Sequence, residues 1–181
     1  MSLPELNNLV CQYWPTADPD LLPRAYAFAE EAHRGQQRLD GTPYITHPLA
    51  VAGLLAEVEA DPAAVAAGLL HDTVEDTPIR PTDIEAAFGQ VIRTLVEGVT
   101  KLSLANFRTR QEEQARNLRK MLLAMADDVR VILVKLGYRL HNMQTIGPLE
   151  PDRRRAIAEE TLYIYAPLAH RLGVRRFKWE L

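Results

Sequence analysis

The stretch DPAAVAAGLLHDTVEDT, residues 61–77, decides the fold that the sequence predicts. Its first ten residues favour a helix, because Asp61 can cap the N-terminus and Pro62 is tolerated in the first turn. The following positions, up to Leu70, are apolar around the whole helix, which indicates a buried and central helix. A histidine and three carboxylates come directly after it. That much charge at the end of a buried helix needs a physical cause.

The rest of the chain also carries helix signals, whereas Asn-Gly or Asp-Gly turns between alternating runs are nearly absent. The segment 129–136 is rich in β-branched residues and is compatible with a buried strand or a buried helix. Because it continues without a break into 137–145, where polar groups have helical spacing, we predict one helix. The fold class is therefore all-α, with further helices expected at 22–33, 47–60, 82–88 (ending at Gly89), 110–128 and 151–172.

Composition narrows the class of protein. The chain has 181 residues, of which 47% are hydrophobic and 25% charged, as expected for one compact domain. The net charge is only -3 with acids and bases mixed, which points to neither nucleic acid nor a membrane as partner. A single cysteine excludes an internal disulfide and fits a reducing cytoplasm. No apolar run reaches the roughly 18 residues that a membrane span needs.

The charged end of the central helix has the composition of a cation site. On a helix, His71 and Glu75 share one face and Asp72 and Asp76 share the next, so all four can border one pocket. The three carboxylates repel one another, and the C-terminal end of a helix opposes them further. A divalent cation would relieve this repulsion, and a His-Asp pair suits manganese, iron or zinc. The alternative, a solvated helix end, remains open from these residues alone.

Two other stretches carry polar groups that suit the same site. His47 starts a helix after a turn-rich loop, a suitable position for a ligand from a second element. Tyr138, Asn142 and Thr145 share one helical face beside an apolar run, as in a pocket wall or in an ordinary amphipathic helix end. His141 lies off that face, so we expect it to pack behind the site residues. The basic run 153–155 is expected to be a solvated helix start.

Five motifs together resemble one family in order and spacing: AHRGQQRLDGTPYITHPLAVAGLL, AAGLLHDTVEDT, VEGVTKL, VILVKLGYRLHNMQT and IYAPLAHRLG followed by FKWEL. The chain is identified from them as similar to the hydrolase (HD) domain of the RelA/SpoT homologues over residues 22–181. These enzymes make and degrade guanosine tetraphosphate and pentaphosphate (ppGpp and pppGpp) in the stringent response. The resemblance implies the all-α fold of HD metal phosphohydrolases.

The resemblance also implies a role for each matching residue. It implies metal ligands at His47, His71 and Asp72, usually for Mn²⁺, and it implies that Glu75 and Asp76 orient or activate the attacking water. Arg38 is expected to pack against the guanine base, and Asn142 and Thr145 to line the nucleotide pocket. The implied reaction is Mn²⁺-dependent removal of pyrophosphate from the ribose 3′ position, which leaves GDP or GTP.

Two departures from the family pattern bear on activity. Tyr138 replaces the aspartate that is the fourth ligand in the family, and a tyrosine with a pKa near 10 is a poor metal ligand. We expect weaker metal binding. Leu39 and Asp40 stand where the family commonly has Lys-Ser, which removes a positive charge near the expected phosphates.

The sequence leaves several explanations of Tyr138 open: a weakened hydrolase, a ppGpp-binding regulatory domain without turnover, or an engineered substitution. An HD phosphohydrolase for another nucleotide is a further alternative. The family pattern also predicts that residues 1–181 are one hydrolase domain, the N-terminal fragment of a longer chain with a synthetase domain in cis. A loop at 100–114 is predicted to be mobile, as the loop that couples the two activities in the family.

Overall fold

The computed structural model describes residues 1–103 and 127–181. Throughout these two ranges the regular structure is helical, apart from one isolated β-bridge between Gln37 and Pro43, so the all-α prediction is confirmed. The helices are α1 (Leu3–Tyr13), α2 (Leu21–Ala32), α3 (Thr46–Glu57), α4 (Pro62–Leu70), α5 (Thr73–Asp76), α6 (Pro81–Ser103), α7 (Val129–Gln144), α8 (Pro151–Glu160), a π-helical segment (Thr161–Tyr165), α9 (Ala166–Arg171) and α10 (Arg175–Glu180).

Helix α4 is the central helix, as its apolar sequence predicts. Asp61 caps it by accepting hydrogen bonds from the backbone N–H groups of Ala63 and Ala64, at 3.1 and 3.3 Å. Every residue from 64 to 70 is buried, and α2, α3, α6 and α7 all pack against the helix. Gly68 permits the close approach of α3, because a Cβ atom there would lie 2.6 Å from Leu55 Cδ1.

Helices α3 and α4 form an antiparallel pair joined by four residues, 58–61. His47 and His71 each lie about ten residues from that connection, so the pairing brings them to the same end of the two helices. Helix α7 runs antiparallel to α3, as the proximity of Gly137 to Val51 and of His141 to His47 shows. Three helices therefore contribute side chains to one end of the core.

An ion pair shows the register of α7 against α4. Arg130, near the start of α7, donates to Asp61 Oδ1 at 3.2 Å. From that contact, Tyr138 and His71 both lie about 12 to 15 Å further along their helices. Position 138 is thereby level with the charged end of α4.

Three features differ from the sequence expectations. Helix α1 was not predicted, although its Leu6 and Val10 are fully buried in the core. At Gly89 the helical backbone ends, as predicted, with a φ of 84°, but a second helical segment that was not predicted follows directly, so that α6 is two helices joined at a kink and reaches Ser103. The predicted helix at 151–172 is interrupted by the π-helical segment.

Some predictions concern residues 104–126, which lie outside the described residues. The helix predicted at 110–128 lies almost entirely there. Of the loop predicted at 100–114, residues 100–103 are the helical end of α6, and the remainder lies outside the described residues. Among the described helices, none combines the length and the apolar character needed to cross a membrane.

Candidate active site

His47, His71 and Asp72 converge at the end of α4, as the sequence analysis expected. One ligand-type atom from each lies within 4.8 Å of the other two. His71 Nε2 is 3.1 Å and His47 Nε2 is 3.6 Å from Asp72 Oδ2. All three side chains are buried. In the described part of the chain, this is the one such cluster of three metal-binding side chains.

Hydrogen bonds orient His71 towards this cluster. Its Nδ1 lies 2.8 Å from the carbonyl oxygen of Gly68. A carbonyl only accepts, so Nδ1 carries the proton and donates it, and Nε2 keeps its lone pair. Burial at a helix end thus produces the tautomer that a metal site needs.

His141 is the hydrogen-bond partner of His47 Nδ1. The two Nδ1 atoms are 2.7 Å apart, so one donates to the other. Burial, followed by the charge of Arg38, lowers the pKa of His141 to about 4, and burial with the neighbouring His71 holds the pKa of His47 well below its usual value. Both rings are neutral at pH 7. If His47 Nε2 binds a metal, its Nδ1–H donates to His141, which therefore contacts a candidate ligand directly.

The chemistry of this cluster fits a divalent cation. The Nε2 atoms of His47 and His71 are buried and have no hydrogen-bond partner among the described residues. Two imidazoles and one carboxylate are ligands that manganese, iron and zinc accept. Asp72 supplies the negative charge: burial alone would raise its pKa, but the two histidines and the Tyr44 hydroxyl outweigh this and keep the pKa below its usual value.

Tyr44 is a site residue that the sequence analysis missed. Its hydroxyl lies 2.8 Å from Asp72 Oδ2 and 2.9 Å from Asp76 Oδ2, within hydrogen-bond distance of both. Its ring stacks on His33 at 4.3 Å between centroids. Burial and then the charge of Asp72 raise the pKa of Tyr44 far above its usual value, so the hydroxyl keeps its proton. A tyrosine in a turn-rich loop gives no pattern by which to predict this contact.

Glu75 and Asp76 lie on the short helix α5, next to the buried cluster, and both are exposed to solvent. Asp76 is connected to Asp72 through the Tyr44 hydroxyl. Glu75 interacts electrostatically with Lys135 and Tyr138. Exposed carboxylates beside buried ligands can accept a proton from water, the role that the family resemblance implies for them.

Tyr138 occupies the place where the resemblance implies a fourth ligand. Its ring centroid lies 5.5 Å from that of His47 and 5.3 Å from that of His71, with both rings edge-on. Burial, reinforced by the charge of Asp72, raises its pKa to about 12. The hydroxyl is therefore neutral near pH 7, and position 138 brings no negative charge to the cluster.

Lys135, one turn before Tyr138, is a buried cation beside the site. Its Nζ lies 4.0 Å from the centre of the Tyr138 ring. Burial lowers its pKa to about 8, while Asp72 acts in the opposite direction. The sequence analysis did not single it out, although a lone lysine inside the apolar run 129–136 was the available signal.

A cavity of about 380 Å³ adjoins Tyr138. Arg38, Asn142 and Thr145, the three residues expected to bind the nucleotide, all line it, and Arg38 Nη2 donates to Thr145 Oγ1 at 3.0 Å. The structure therefore brings these three together across a sequence separation of 107 residues. Since Tyr138 lines the cavity and also contacts both histidine rings, it connects the cavity to the candidate metal ligands.

Other cavity residues were not expected. Arg139 is buried and donates to Glu160 at 2.7 Å, with its guanidinium 4.2 Å from the centre of the Tyr165 ring. Arg153 is exposed, as predicted for a solvated helix start, but it also lines the cavity. The remaining lining residues are Leu39, Asp40, Pro148, Leu149 and Ile157.

Comparisons with known proteins show which family the chain resembles. The HD domain family matches residues 25–175. The chain is 53% identical over 176 residues to the bifunctional (p)ppGpp synthase/hydrolase SpoT of Escherichia coli K12. This alignment covers 97% of the chain and 25% of that protein. It is 57% identical over 166 residues to a probable guanosine-3′,5′-bis(diphosphate) 3′-pyrophosphohydrolase of Synechocystis. That alignment covers 92% of the chain and 22% of the relative. The chain thus spans about a quarter of these relatives.

A solved structure extends the likeness to three dimensions. It is that of a metazoan ortholog of SpoT, which hydrolyses ppGpp and plays a role in starvation responses. The TM-score is 0.63 with 26% sequence identity, and the match covers 81% of this chain and 82% of that one.

Proposed function

We propose, from the premise that this chain belongs to the HD domain family as a hydrolase domain of the RelA/SpoT type, that it hydrolyses guanosine 3′,5′-bis(diphosphate) with the help of a divalent cation. The products are pyrophosphate and GDP, or GTP from the pentaphosphate. One observation carries the proposal: three buried ligand-type side chains converge beside a nucleotide-sized cavity, and their two Nε2 atoms have no hydrogen-bond partner among the described residues.

In this proposal His47, His71 and Asp72 hold Mn²⁺. A bound cation of this kind lowers the pKa of water and withdraws charge from phosphoryl oxygens. The manganese assignment rests on the family resemblance, and the donor set accepts zinc or iron as well. Elemental analysis of the purified protein, together with metal titration of chelator-treated samples, tests which cation the site prefers.

The protein's own residues then supply positioning and proton transfer. Arg38, Asn142 and Thr145 hold the guanosine in the cavity. Glu75 and Asp76, exposed beside the cluster, accept the proton of the attacking water. The water oxygen bonds to the phosphorus as the bond between that phosphorus and the 3′ oxygen breaks; pyrophosphate leaves, and the ribose 3′ oxygen takes up a proton from solvent to become a hydroxyl. The Tyr44 hydroxyl lies between Asp72 and Asp76, donates to one carboxylate at a time and so links the ligand to the base.

Incubation with guanosine tetraphosphate and Mn²⁺, followed by quantification of GDP and pyrophosphate, tests the proposal. Asp72→Ala removes the one carboxylate of the cluster and is expected to abolish product formation. Lack of product from the wild-type protein, with the metal shown to be bound, would rule out hydrolysis. A panel of other nucleotides identifies an HD phosphohydrolase with a different substrate.

Tyr138 favours a second candidate function, a ppGpp-binding regulatory domain with little or no turnover. Its neutral ring stands where a carboxylate is expected, and the cation of Lys135 lies beside it. This candidate predicts nucleotide binding without turnover in the wild-type protein. Because even a group that only supports a metal ligand changes affinity or activity about 10- to 100-fold, a carboxylate at the ligand position in Tyr138→Asp is expected to raise kcat by about 10-fold or more.

Tyr138→Phe is the matched control, since it keeps the ring and removes only a hydroxyl that is neutral at pH 7. We expect it to behave like the wild-type protein. If Tyr138→Asp left hydrolysis unchanged, the tyrosine would not be what limits turnover. Metal affinity measured on the same three proteins separates an effect on metal binding from an effect on the chemical step.

The family relationship also leads us to propose that this domain works in cis with a synthetase. Relatives include a bifunctional synthase/hydrolase, and the chain spans about a quarter of that protein. Assays of synthesis and hydrolysis in the longer protein, with and without Asp72→Ala, show whether the two activities are separable. A cytoplasmic location remains a prediction from the sequence.

A further inference from the structure

The cavity has one end beside the candidate metal ligands and a second end beside Arg153. Helices α7 and α8 line it as an antiparallel pair joined by residues 145–150. Tyr138 and Glu160 lie at the end beside the candidate metal ligands, and Thr145 and Arg153 lie at the other end. Seven residues of helix separate the ends on each side, which is about 10 Å. A nucleoside with a phosphate chain on each side of the ribose spans such a distance.

The three cavity arginines are not equally available to an anion. Arg139 is already paired with Glu160 at 2.7 Å and is buried against Tyr165. Arg38 donates to Thr145 and interacts electrostatically with Asp40. Arg153 makes no ion pair in the described part of the chain.

Among the described residues, the wall formed by residues 38–40 carries no positive charge beyond Arg38. Leu39 is apolar and 75% exposed, and Asp40 is a carboxylate whose pKa is lowered by hydrogen bonds from Thr42. A phosphate chain is therefore repelled from Asp40. The guanidinium of Arg153, which also lines the cavity, can receive it, because arginine binds phosphate oxygens in a bidentate manner.

We propose that Arg153 binds the 5′-phosphate chain of the substrate and so makes this end of the cavity selective for 5′-phosphorylated nucleosides. The inference rests on the proposed guanosine substrate, whose 3′-pyrophosphate is placed at the metal end. It explains how the cavity can bind a highly charged nucleotide although Leu39 and Asp40 bring no cation to it. Arg153 acts through binding and takes no part in the chemical step.

Equilibrium binding to chelator-treated protein tests this without turnover. The probes are guanosine, GDP and GTP, and the readout is the dissociation constant from calorimetry. Arg153→Ala is expected to weaken GDP and GTP binding about 10-fold, the effect of one lost charge-assisted hydrogen bond, and to leave guanosine binding unchanged. Arg153→Lys is expected to recover part of the loss, because lysine keeps the charge without the planar fork.

Arg155→Ala is the control variant. It removes the same charge two residues further along α8, about 200° around the helix, from a residue that does not line the cavity. We expect it to change GDP affinity less than about 2-fold, as for a screened surface charge. An equal loss in Arg155→Ala would show that only diffuse surface charge matters, and an equal loss of guanosine affinity would show a structural defect. Either outcome, or unchanged GDP binding in Arg153→Ala, would overturn the proposal.

Hydrolysis assays distinguish this inference from the proposed function. With guanosine tetraphosphate, Arg153→Ala is expected to raise KM about 10-fold and to leave kcat unchanged, since the residue is remote from the metal end. If the wild-type protein binds GDP more tightly than guanosine through Arg153 but does not hydrolyse the tetraphosphate, hydrolysis fails and the inference holds. If hydrolysis occurs and Arg153→Ala has no effect on KM, the inference fails and the proposed function holds.

Discussion

Replacing His141 by alanine removes the hydrogen-bond partner of His47 Nδ1, which lies 2.7 Å from His141 Nδ1. The His47 ring is buried, so no solvent molecule is available at low cost to take the place of the lost acceptor. A buried donor left without a partner costs about 1–3 kcal/mol. At 1.4 kcal/mol per factor of ten, metal affinity is expected to fall about 5- to 150-fold. Losses of 10- to 100-fold are typical when the group that supports a ligand is removed.

The assay is calorimetric titration of chelator-treated protein with Mn²⁺ at pH 7. His170→Ala is the matched control, because that histidine is exposed and lies outside the cluster. His141→Asn is expected to recover part of the affinity, since its amide oxygen can accept the same proton. Thermal unfolding without metal shows whether each variant remains folded.

Two results would refute the reasoning about His141. The first is wild-type Mn²⁺ affinity, within about 2-fold, in a folded His141→Ala protein. The second is a nitrogen NMR spectrum in which Nε2 of His47, and not Nδ1, carries the proton in the chelator-treated protein. Both would mean that the contact does not select the tautomer that the metal needs.

The remaining predictions concern stability. Gly68→Ala is expected to destabilise the fold by about 1–3 kcal/mol, because its Cβ would lie 2.6 Å from Leu55 Cδ1. Gly137→Ala would make only contacts of 3.5 Å or more and is expected to stabilise the fold by about 0.5–1 kcal/mol. Urea unfolding of both variants measures these changes. Without metal, the free energy of unfolding is expected to fall as the pH drops from about 6.5 towards 4. In that range the unfolded chain protonates His47 and His141, whereas the folded protein, in which their pKa values are lowered, does not. A urea midpoint that rises as the pH drops would contradict this. Mn²⁺ at a hundred times its dissociation constant is expected to add about 2.7 kcal/mol and to raise the unfolding temperature measured by calorimetry.

Local sequence was sufficient to predict most of the helices and the residues that bring chemistry to the site. The cap at Asp61 and the apolar positions up to Leu70 predict α4 because capping and burial patterns are written within one or two helical turns. The same local rules placed a helix end at Gly89, where φ is positive, but they did not predict that a second helical segment starts directly after it. Helical spacing singled out His71, Asp72, Asn142 and Thr145, whereas the specific role of each residue, and the choice of Arg38, came from the family resemblance.

The proximity of His47 to His71 follows almost entirely from the local sequence. A four-residue connection between two helices of similar length makes them antiparallel neighbours, and both histidines lie about ten residues from it. The position of α7 is different, because its contacts with α4, such as the Asp61–Arg130 ion pair, join residues as far as 69 positions apart. No local pattern specifies such a contact.

What only the tertiary structure decided is which side chains support the site. The contact of His141 with His47, the Tyr44 hydroxyl between Asp72 and Asp76, and the position of Arg153 on the cavity all depend on helices that meet across long stretches of chain. The sequence by itself determined the all-α fold and the residue types that can hold a cation, because hydrophobic periodicity and metal-ligand chemistry are properties of short segments. Hydrogen-bond partners and cavity walls arise from packing between distant segments, and packing is a property of the whole fold.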